Sequence, residues 1–502
     1  MLKKINIRPD RQRLIIYIFL AVLTLAVFWQ VNQFDFINFD DNVYVTENNH
    51  IKSKTSLSTL SWAFSTKYIE LWNPLVWLSF ILDYKLYGMN AGGYHVTNLI
   101  FHILSTLLLF WLFCRMSKEI WPSAFVAAFF AIHPFHVESV AWIAERKDVL
   151  IAFFWMLTLC FYVYYTEKPV MRRYFLVLFS FVLALMSKPF AIYMPIIMIL
   201  LDYWPLKRFD SKKDNLFLWQ LKEKTPLIIL ASITFTINLY ASIDNSSLTE
   251  PVLQAFPAIF RLANTSLAFI TYLGKTLWPY DMAIFYPFPL HISVWQTIGS
   301  FVLTIFMTIF VIFMIRRMPY LSVGWLWFTI MIMPIIVMTQ TSKYYFMADR
   351  YHYLSSIGIA MMIAWGIPSL MKNQHTRKAV LWSAGIIFIA SMALLSWQQC
   401  SDWKNSLDLW NHTLSVTKDN YLAHNNISQP LIAKGEIEKA MQHYNEAINI
   451  VPKYALAYNN RGLAYLKYLN VDRALGCADL QKACSYGYCK GLGWAKGKGY
   501  CP

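Results

Sequence analysis

Residues 131–150 read AIHPFHVESVAWIAERKDVL and join two apolar runs, yet they carry a proline and a dense set of ionisable side chains. That set contains two histidines, three acids and two bases, namely His133, His136, Glu138, Glu145, Arg146, Lys147 and Asp148. Ionisable groups beside membrane-spanning segments are costly and usually face a bundle interior or a water-filled cleft. This stretch therefore predicts a polar site on one face of a membrane protein.

The composition of the chain indicates a polytopic membrane protein with a smaller soluble part. Of 502 residues, 57% are hydrophobic and 14% are charged, whereas soluble domains carry about 25% charged residues. The net charge of +16 comes from lysines and arginines clustered in short loops. That distribution is typical of membrane topology and of attraction to anionic lipids, and it argues against a nucleic-acid-binding protein.

The apolar runs predict about eleven membrane-spanning helices, because each span needs roughly 20 apolar residues. The predicted spans are Leu14–Val31, Thr97–Phe113, Trp121–Ile132, Val149–Tyr165, Tyr174–Ser187, Phe190–Trp204, Pro226–Ala241, Phe301–Ile315, Leu321–Thr339, Leu354–Met371 and Val380–Trp397. Short loops rich in Lys and Arg stay in the cytoplasm. A further span at Pro257–Trp278 would break that pattern, so an interfacial or re-entrant segment is predicted there. All the polar segments then fall on one outer face, where a shared cleft is the simplest explanation.

The C-terminal part has the composition of soluble helices from about Tyr421. Ala423 and Ala457 lie 34 residues apart, as do Asn425 and Asn459, and 34 residues is the tetratricopeptide period. The sequence therefore predicts an all-α protein with a transmembrane domain at residues 1–400 and a tetratricopeptide-like helical domain at residues 401–502.

Four cysteines lie near the C-terminal end, at Cys477, Cys484, Cys489 and Cys501. If this end faces an oxidising compartment, one or two disulfides are expected. The sequence leaves their pairing open.

Two acidic residues, Asp40 and Asp41, follow the first predicted span. A pair of carboxylates at the outer membrane surface can act as a general base or hold a divalent cation. The alternative is a solvated turn in which Asp41 caps a helix.

The two histidines of HPFHVES, His133 and His136, have a spacing that hints at zinc. Pro134 argues against a helix that presents both rings together, so a metal site is not favoured there. We expect His133, His136 and Glu138 to line a polar cleft and position a sugar or a phosphate. The alternative is that the histidines are hydrogen-bonded core residues.

Further cations, acids and a tyrosine fall at span ends on the same predicted face, namely Arg146, Lys147, Asp148, Lys188, Asp349, Arg350 and Tyr351. Guanidinium groups suit bidentate phosphate contacts, and tyrosine suits sugar stacking and hydrogen bonding. The alternative for each is ordinary anchoring at lipid headgroups. Their common side favours a site for a phosphate-linked sugar.

Five segments of the chain, taken in sequence order, resemble those of one known family. These segments are the Asp40–Asp41 loop, HPFHVESVAWIAERKDVL, SKPFAIYMPIIMILLDYWPL (187–206), MADRYHYLSSIGI (347–359) and WKNSLDLWNHTL (403–414), followed by the repeats. The chain resembles the transmembrane and tetratricopeptide-repeat-containing family, whose eukaryotic members are O-mannosyltransferases, and more broadly the GT-C class of glycosyltransferases. It departs from the family in having about two repeats, and in Asp349 where a Glu is usual.

The resemblance implies transfer of a sugar from a polyprenyl-phosphate donor to a protein hydroxyl or to an envelope glycan or lipid. It implies that Asp41 or Asp40 takes the proton of the acceptor hydroxyl. Arg146 and Arg350, with Lys188, would neutralise the leaving lipid phosphate. No certain cofactor follows, although the acidic loop permits a divalent cation, and the repeats imply a protein partner.

Two other classes of function fit parts of the sequence. One is a membrane scaffold whose repeats recruit an envelope partner, and the other is a transporter of lipids or glycans. The transporter is disfavoured because the predicted spans are almost free of charge at mid-depth. The short repeat array favours a bacterial inner membrane with the site and the C-terminal domain in the periplasm, and the alternative is the endoplasmic reticulum membrane with both in the lumen.

Overall fold

The computed structural model describes residues 9–53, 56–66, 71–211, 215–243, 258–289, 293–342, 345–371, 373–469 and 473–502. Within these ranges the chain is helical, and its β-structure is limited to an isolated bridge between Pro287 and Tyr345. The predicted all-α fold class is confirmed.

The described part of the first 401 residues contains sixteen α-helices. They are α1 (Pro9–Phe28), α2 (Asn49–Lys52), α3 (Leu57–Ser65), α4 (Pro74–Tyr87), α5 (Ala91–Ser117), α6 (Ile120–Ile132), α7 (Val137–Ala141), α8 (Arg146–Glu167), α9 (Met171–Leu185), α10 (Met194–Tyr203), α11 (Leu216–Ile243), α12 (Ala258–Leu277), α13 (Val294–Phe313), α14 (Pro319–Ser342), α15 (His352–Ser369) and α16 (Gln374–Ser401). Short 3₁₀ turns connect several of them, at Pro134–His136, Ile143–Glu145, Pro189–Tyr193 and Asp349–Tyr351.

Seven helical segments among the described residues are long and apolar enough to cross a membrane, and an eighth crosses if a bent pair is one span. The bent pair is Ile120–Ile132 with Pro134–Ala141, at an angle of 52°. These eight match eight of the eleven predicted spans. The other three predicted spans coincide with the helical segments Met171–Leu185, Pro189–Tyr203 and His352–Ser369. Pro257–Trp278, predicted as interfacial, contains α12.

The break after α6 has a local cause. Pro134 has no amide hydrogen to continue the helix, and it disfavours helical geometry at His133. His133 accordingly has extended dihedrals, with φ −71° and ψ 135°. The chain turns there and begins α7, which carries Glu138.

Helices α14 and α15 pack closely at a pair of glycines. A methyl group at Gly324 would collide with the carbonyl oxygen of Gly358, and a methyl group at Gly358 would collide with that of Gly324. Such small residues let the backbones of membrane helices approach each other. This close pair fixes the start of α15, immediately after Asp349–Tyr351.

Six helices follow α16. They are α17 (Ser406–Val416), α18 (Tyr421–Ala433), α19 (Ile437–Ile450), α20 (Ala455–Ala464), α21 (Arg473–Ser485) and α22 (Lys490–Gly497). The predicted 34-residue spacing corresponds to the hairpins α18–α19 and α20–α21. Buried side chains of α17–α19 share one apolar core with the membrane helices, including Leu409, Trp410 and Ile427.

The four late cysteines form two disulfides, Cys477–Cys501 and Cys484–Cys489. The first joins α21 to the end of the chain, across a sequence separation of 24. The second closes a separation of only 5 residues.

We expect the long disulfide to stabilise the C-terminal end more than the short one, because it removes more conformations from the unfolded chain. For these loop lengths the chain-entropy model gives about 3 kcal/mol for Cys477–Cys501 and about 2 kcal/mol for Cys484–Cys489. Cys501→Ser should therefore speed tryptic cleavage at Lys490 and Lys496 more than Cys489→Ser does. Equal cleavage rates of the two variants, read by mass spectrometry, would contradict this expectation.

Candidate functional site

The acidic pair lies in a tight loop that follows α1. Asp41 is fully buried, and its two carboxylate oxygens accept backbone hydrogen bonds from Ile37 at 2.9 Å and Ala144 at 2.8 Å. Burial raises the pKa of Asp41 from 3.8 to about 8, against the effect of those two hydrogen bonds. Asp41 therefore ties the loop to the segment before α8, and both its oxygens are occupied.

Asp40 is placed differently from its neighbour. Its side chain is half-buried, and its backbone is left-handed with φ 65°, a region that aspartate tolerates better than most residues. Asp40 lies close enough to interact electrostatically with Lys147 and Tyr44. Of the two predicted bases, Asp40 is the one that a substrate can reach.

Glu145 is the centre of a buried cluster of cations. Its Oε1 lies 3.0 Å from Lys147 Nζ and 3.2 Å from Arg350 Nε, and its Oε2 lies 3.9 Å from Lys188 Nζ. The carboxylate is 2% exposed, and its Oε2 has no hydrogen-bond donor among the described residues. One carboxylate thus gathers the neighbouring Lys147 and two cations from other segments of the chain, Lys188 and Arg350.

Glu138 holds Arg350 in that cluster. Its Oε2 accepts a hydrogen bond from the backbone N–H of Arg350 at 3.0 Å, and its Oε1 pairs with Arg350 Nη1. The Arg350 side chain is 15% exposed. Burial works against the charge of Arg350, but Glu138 and other neighbours raise its pKa well above the ordinary value. Arg350 therefore offers a permanent cation that is partly exposed.

Lys188 pairs with Asp148, which also accepts a hydrogen bond from Ser139 Oγ at 3.1 Å. A cavity of about 30 Å³ lies beside this pair, lined also by Phe190 and Arg350. That volume holds about one water molecule. A sugar phosphate could enter only if the walls of the cavity separate.

Aromatic rings cover the cations of the cluster. Arg350 lies 5.0 Å from the ring centre of Tyr351 and 5.5 Å from that of Trp142, and Lys147 lies 5.1 Å from that of Tyr44. Lys188 is 6.0 Å from Tyr351. Cation–π contacts of this kind stabilise charges away from bulk water. Tyr351, predicted as a sugar contact, therefore also borders two of the cations.

Asp349 does not join the cation cluster directly. It accepts a hydrogen bond from Tyr286 OH at 2.9 Å. Burial, and next the nearby charge of Glu138, raise the pKa of Asp349 well above its ordinary value. Asp349 thus connects the Arg350 segment to the chain around Tyr286.

Arg146 is placed apart from the expected phosphate site, which corrects its predicted role. Its side chain is fully buried, pairs with Asp83 at 2.6 Å and donates to the carbonyl of Tyr94 at 2.9 Å and to Asn98. A buried ion pair of this kind is costly to break, because removal of one partner leaves an uncompensated charge. Arg146 therefore connects α8 to α4 and α5 and does not face the cleft.

The two histidines of HPFHVES are core residues, as the alternative interpretation held. His133 Nε2 donates to the carbonyl of Thr276 at 2.9 Å, and His136 Nδ1 donates to that of Phe130 at 2.6 Å. Both rings are fully buried. They pack beside His352, whose Nε2 lies 2.7 Å from Thr276 Oγ1. The predicted contact of His133 and His136 with a sugar or phosphate is wrong for this arrangement, because the rings are occupied by the protein.

The acidic pair does not offer a good donor set for a divalent cation. Both oxygens of Asp41 are occupied by backbone N–H groups, and Asp40 faces the positive charge of Lys147. A hard cation needs about six oxygen ligands. Among the described residues, no group of three His, Cys, Asp or Glu side chains is arranged to hold a metal ion.

Sequence reasoning missed the central role of Glu145 and the tie formed by Asp83. Glu145 was visible in the polar stretch beside Lys147, but nothing in its spacing showed that the distant Lys188 and Arg350 would also surround it. Asp83 lies inside an otherwise apolar helix. A lone acid in such a helix normally has a buried partner, and this was the available signal.

A separate apolar groove of about 500 Å³ lies between α12, α13, α14 and α15. Leu273, Met307, Trp325 and Met362 are among its lining residues, and no ionisable side chain lines it. The groove can accept an apolar chain, but the chemistry has to take place elsewhere.

Two family models match the chain. A model described as dolichyl-phosphate-mannose-protein mannosyltransferase matches residues 76–217, and a tetratricopeptide repeat model matches residues 431–467. The first match contains Glu138, Glu145, Lys147 and Lys188. The second covers part of the hairpin α18–α19 and helix α20.

Similar proteins extend across most of the chain. Protein O-mannosyl-transferase F38B6.6 of Caenorhabditis elegans is 24% identical over 84% of this chain and 60% of its own length. Protein O-mannosyl-transferase TMTC3 of Mus musculus is 24% identical over 89% of this chain and 52% of its own length. The chain thus spans about half the length of the curated relatives it matches.

The solved structure of ArnT from Cupriavidus metallidurans bound to undecaprenyl phosphate aligns with 90% of this chain and 78% of that chain, at 12% identity and a TM-score of 0.41. A likeness at that level carries no weight of its own. The two family models and the long sequence matches confirm the predicted resemblance. The chain is similar to the transmembrane and tetratricopeptide-repeat-containing family over most of its length.

Proposed function

We propose that this protein is an integral-membrane glycosyltransferase that moves a sugar from a polyprenyl-phosphate donor to an acceptor on the outer face of the membrane. The observation that carries the proposal is the cluster of Lys147, Lys188 and Arg350 around Glu145. Such a set of buried cations beside an accessible acid suits a reaction in which a phosphate departs and a hydroxyl loses a proton.

The proposed step is an inverting displacement at the anomeric carbon. The acceptor oxygen forms a bond to that carbon, and the bond between the carbon and the phosphate oxygen breaks. The electron pair of the broken bond leaves with the polyprenyl phosphate. Arg350 and Lys188 stabilise the negative charge that develops there, since fixed cations in a water-poor site act more strongly than in bulk water.

Asp40 takes the proton of the acceptor hydroxyl in this proposal. The neighbouring Asp41 is engaged by Ile37 and Ala144 and positions the loop. Lys147 lies near Asp40, so a positive charge stands close to the carboxylate that accepts the proton. The accessible carboxylate is therefore the base, and the buried one is its support.

Glu145 positions the donor sugar. Its buried Oε2 lacks a hydrogen-bond donor among the described residues, and a buried acceptor without a partner is costly. A sugar hydroxyl would satisfy it. The adjacent Tyr351 ring then provides a surface for the sugar.

The donor and acceptor classes follow from the relatives. Because the relatives are named protein O-mannosyl-transferases, mannose is the first sugar to test and a protein hydroxyl is the first acceptor. An envelope glycan or lipid is the other acceptor class. Residues 1–400 form the catalytic domain in this proposal, and residues 401–502 form a helical domain that meets a protein partner. We place both the site and residues 401–502 in the periplasm of a bacterial inner membrane.

The first test uses the purified chain in nanodiscs with a panel of polyprenyl-phosphate sugars and serine- or threonine-containing peptides. Wild type should turn over one donor. Asp40→Asn should lower kcat by about 100-fold or more, because general-base catalysis contributes roughly 10²–10⁴-fold. Transfer is read by mass spectrometry of the peptide.

Matched variants distinguish chemistry from damage to the fold. Asp35→Asn removes a carboxylate from the same loop, and it should retain activity. Arg350→Lys keeps a positive charge but loses the forked guanidinium, so it should weaken donor binding. Arg115→Ala removes a largely exposed Arg–Glu pair with Glu167 and should have little effect. Absence of turnover with every donor, together with full cellular function of Asp40→Asn, would leave the scaffold as the explanation.

Asp41 should make the stability of the protein fall as pH rises. Its folded pKa of about 8 exceeds the ordinary value of 3.8, so the folded state holds this proton more tightly than the unfolded state. The stabilisation is present at low pH, declines between about pH 4 and pH 8, and is then constant. Asp41→Asn should remove this dependence. Parallel curves of Tm against pH for wild type and variant would contradict the assignment.

Chelation should leave the reaction intact, because the acidic loop does not provide the oxygen ligands of a divalent cation. We expect turnover in EDTA to stay within about twofold of the untreated enzyme. Loss of activity in EDTA that is restored by added Mg²⁺ or Mn²⁺ would show that a cation takes part.

A further inference from the structure

The C-terminal helices form most of their hydrogen bonds to the acidic loop at one residue, Asn38. Its backbone N–H donates to Ser406 Oγ at 2.8 Å, and its Nδ2 donates to the carbonyl of Asn426 at 3.0 Å and to Gln429 Oε1 at 3.1 Å. Its Oδ1 accepts a hydrogen bond from the indole N–H of Trp410 at 2.9 Å. Asn38 lies two residues before Asp40, and all four of these contacts come from residues beyond 400.

Aromatic packing supports the same connection. Phe39 stacks on Trp142 at 5.4 Å and meets the edge of Trp410 at 5.5 Å. The carbonyl of Phe39 also accepts the indole N–H of Trp142 at 3.1 Å. The residue between Asn38 and Asp40 is thus packed between the C-terminal helices and the segment that leads to Glu145.

The same helices also contact the other side of the site. His412 Nε2 donates to the carbonyl of Met282 at 2.8 Å, and Asn420 Nδ2 donates to that of Phe285 at 3.1 Å. The next residue, Tyr286, donates to Asp349, the neighbour of Arg350. The C-terminal helices therefore touch both the segment that carries the proposed base and the segment behind the proposed phosphate ligand.

We infer that the C-terminal helical domain positions the catalytic loop, and that Asn38 is the positioning residue through which it does so. The inference rests on the proposed function, because it assigns Asp40 as the base. Asp40 is half-buried in the turn that precedes the short π-helix Asn42–Thr46, and its carbonyl accepts a hydrogen bond from the N–H of Tyr44 at 2.8 Å. Its orientation depends on the residues that anchor the turn, and displacement of a catalytic group by about 1 Å can lower a rate about 100-fold.

A partner or acceptor that moves α17 or α18 would therefore change the rate of transfer without touching the donor. Asn426 and Gln429 lie on α18, the first helix of the repeats. The repeat domain thereby regulates the chemistry as well as meeting a partner.

The test compares Asn38→Ala with Asn460→Ala in the full chain in nanodiscs. Asn460 donates to Asn425 Oδ1 at 3.1 Å within the repeats, so its replacement removes a similar amide contact away from the loop. With the donor identified in the panel, Asn38→Ala should lower kcat by about 10- to 100-fold and leave the donor KM within about twofold. Asn460→Ala should change neither value. An unchanged kcat in Asn38→Ala overturns the inference.

Hydrogen exchange provides a readout that does not need activity. Amides of residues 34–48 should exchange at least about 10-fold faster in Asn38→Ala and at the wild-type rate in Asn460→Ala. If the amides of this loop exchange at the wild-type rate in Asn38→Ala, the inference is overturned even when the protein is a glycosyltransferase. If Asn38→Ala exchanges faster but the wild type shows no transferase activity, the result supports the positioning role of Asn38 and contradicts only the proposed function.

Trp410→Phe serves as a second variant in case Asn38→Ala folds poorly. It keeps an aromatic ring beside Phe39 but removes the indole N–H that donates a hydrogen bond to Asn38 Oδ1. It should show the same selective loss of kcat and faster loop exchange, to a smaller extent. The inference is overturned if a folded Trp410→Phe shows neither the loss of kcat nor the faster exchange. This holds whether Asn38→Ala is unaffected or misfolded.

Discussion

The pairing of Glu138 with Arg350 is the contact on which the site depends. It joins two segments 212 residues apart in the chain, and both partners are almost fully withdrawn from water. A buried charge without its partner costs several kcal/mol, so neither side chain can leave alone. Because Glu138 also binds the backbone N–H of Arg350, it fixes the orientation of the guanidinium as well as its position. Glu145 then gathers Lys147 and Lys188 around the same point.

Charge balance explains how so many ionisable groups are tolerated in an apolar protein. Each cation of the cluster has a carboxylate neighbour, and Arg146 has Asp83. A second balanced network lies elsewhere, where Tyr162, Asp202, Arg208, Glu223 and Lys224 contact one another. These networks hold helices together. In the site, three cations surround Glu145, and its Oε2 has no hydrogen-bond donor among the described residues.

The C-terminal domain is part of the same structural unit as the membrane helices. Trp403 and Trp410 belong to the core that includes Trp142, so the apolar packing is continuous from the membrane helices into α17. The hydrogen bonds of Asn38 and Asn420 fix the orientation of the C-terminal helices relative to the site. Deleting the repeats would therefore expose apolar surface and release two segments of the site, beyond the loss of any surface that binds a partner.

The sequence by itself determined the fold class, the membrane helices and the period of the repeats, because apolar length and spacing are local properties. It also predicted that Glu138, Lys147, Lys188 and Arg350 lie on one face, and the structure brings these four side chains together. Only the tertiary structure decided which acid is accessible and which is buried, and that Arg146 and the two histidines are occupied by the protein. Those outcomes depend on partners such as Asp83, Thr276 and Ala144, which come from distant segments and carry no local signal.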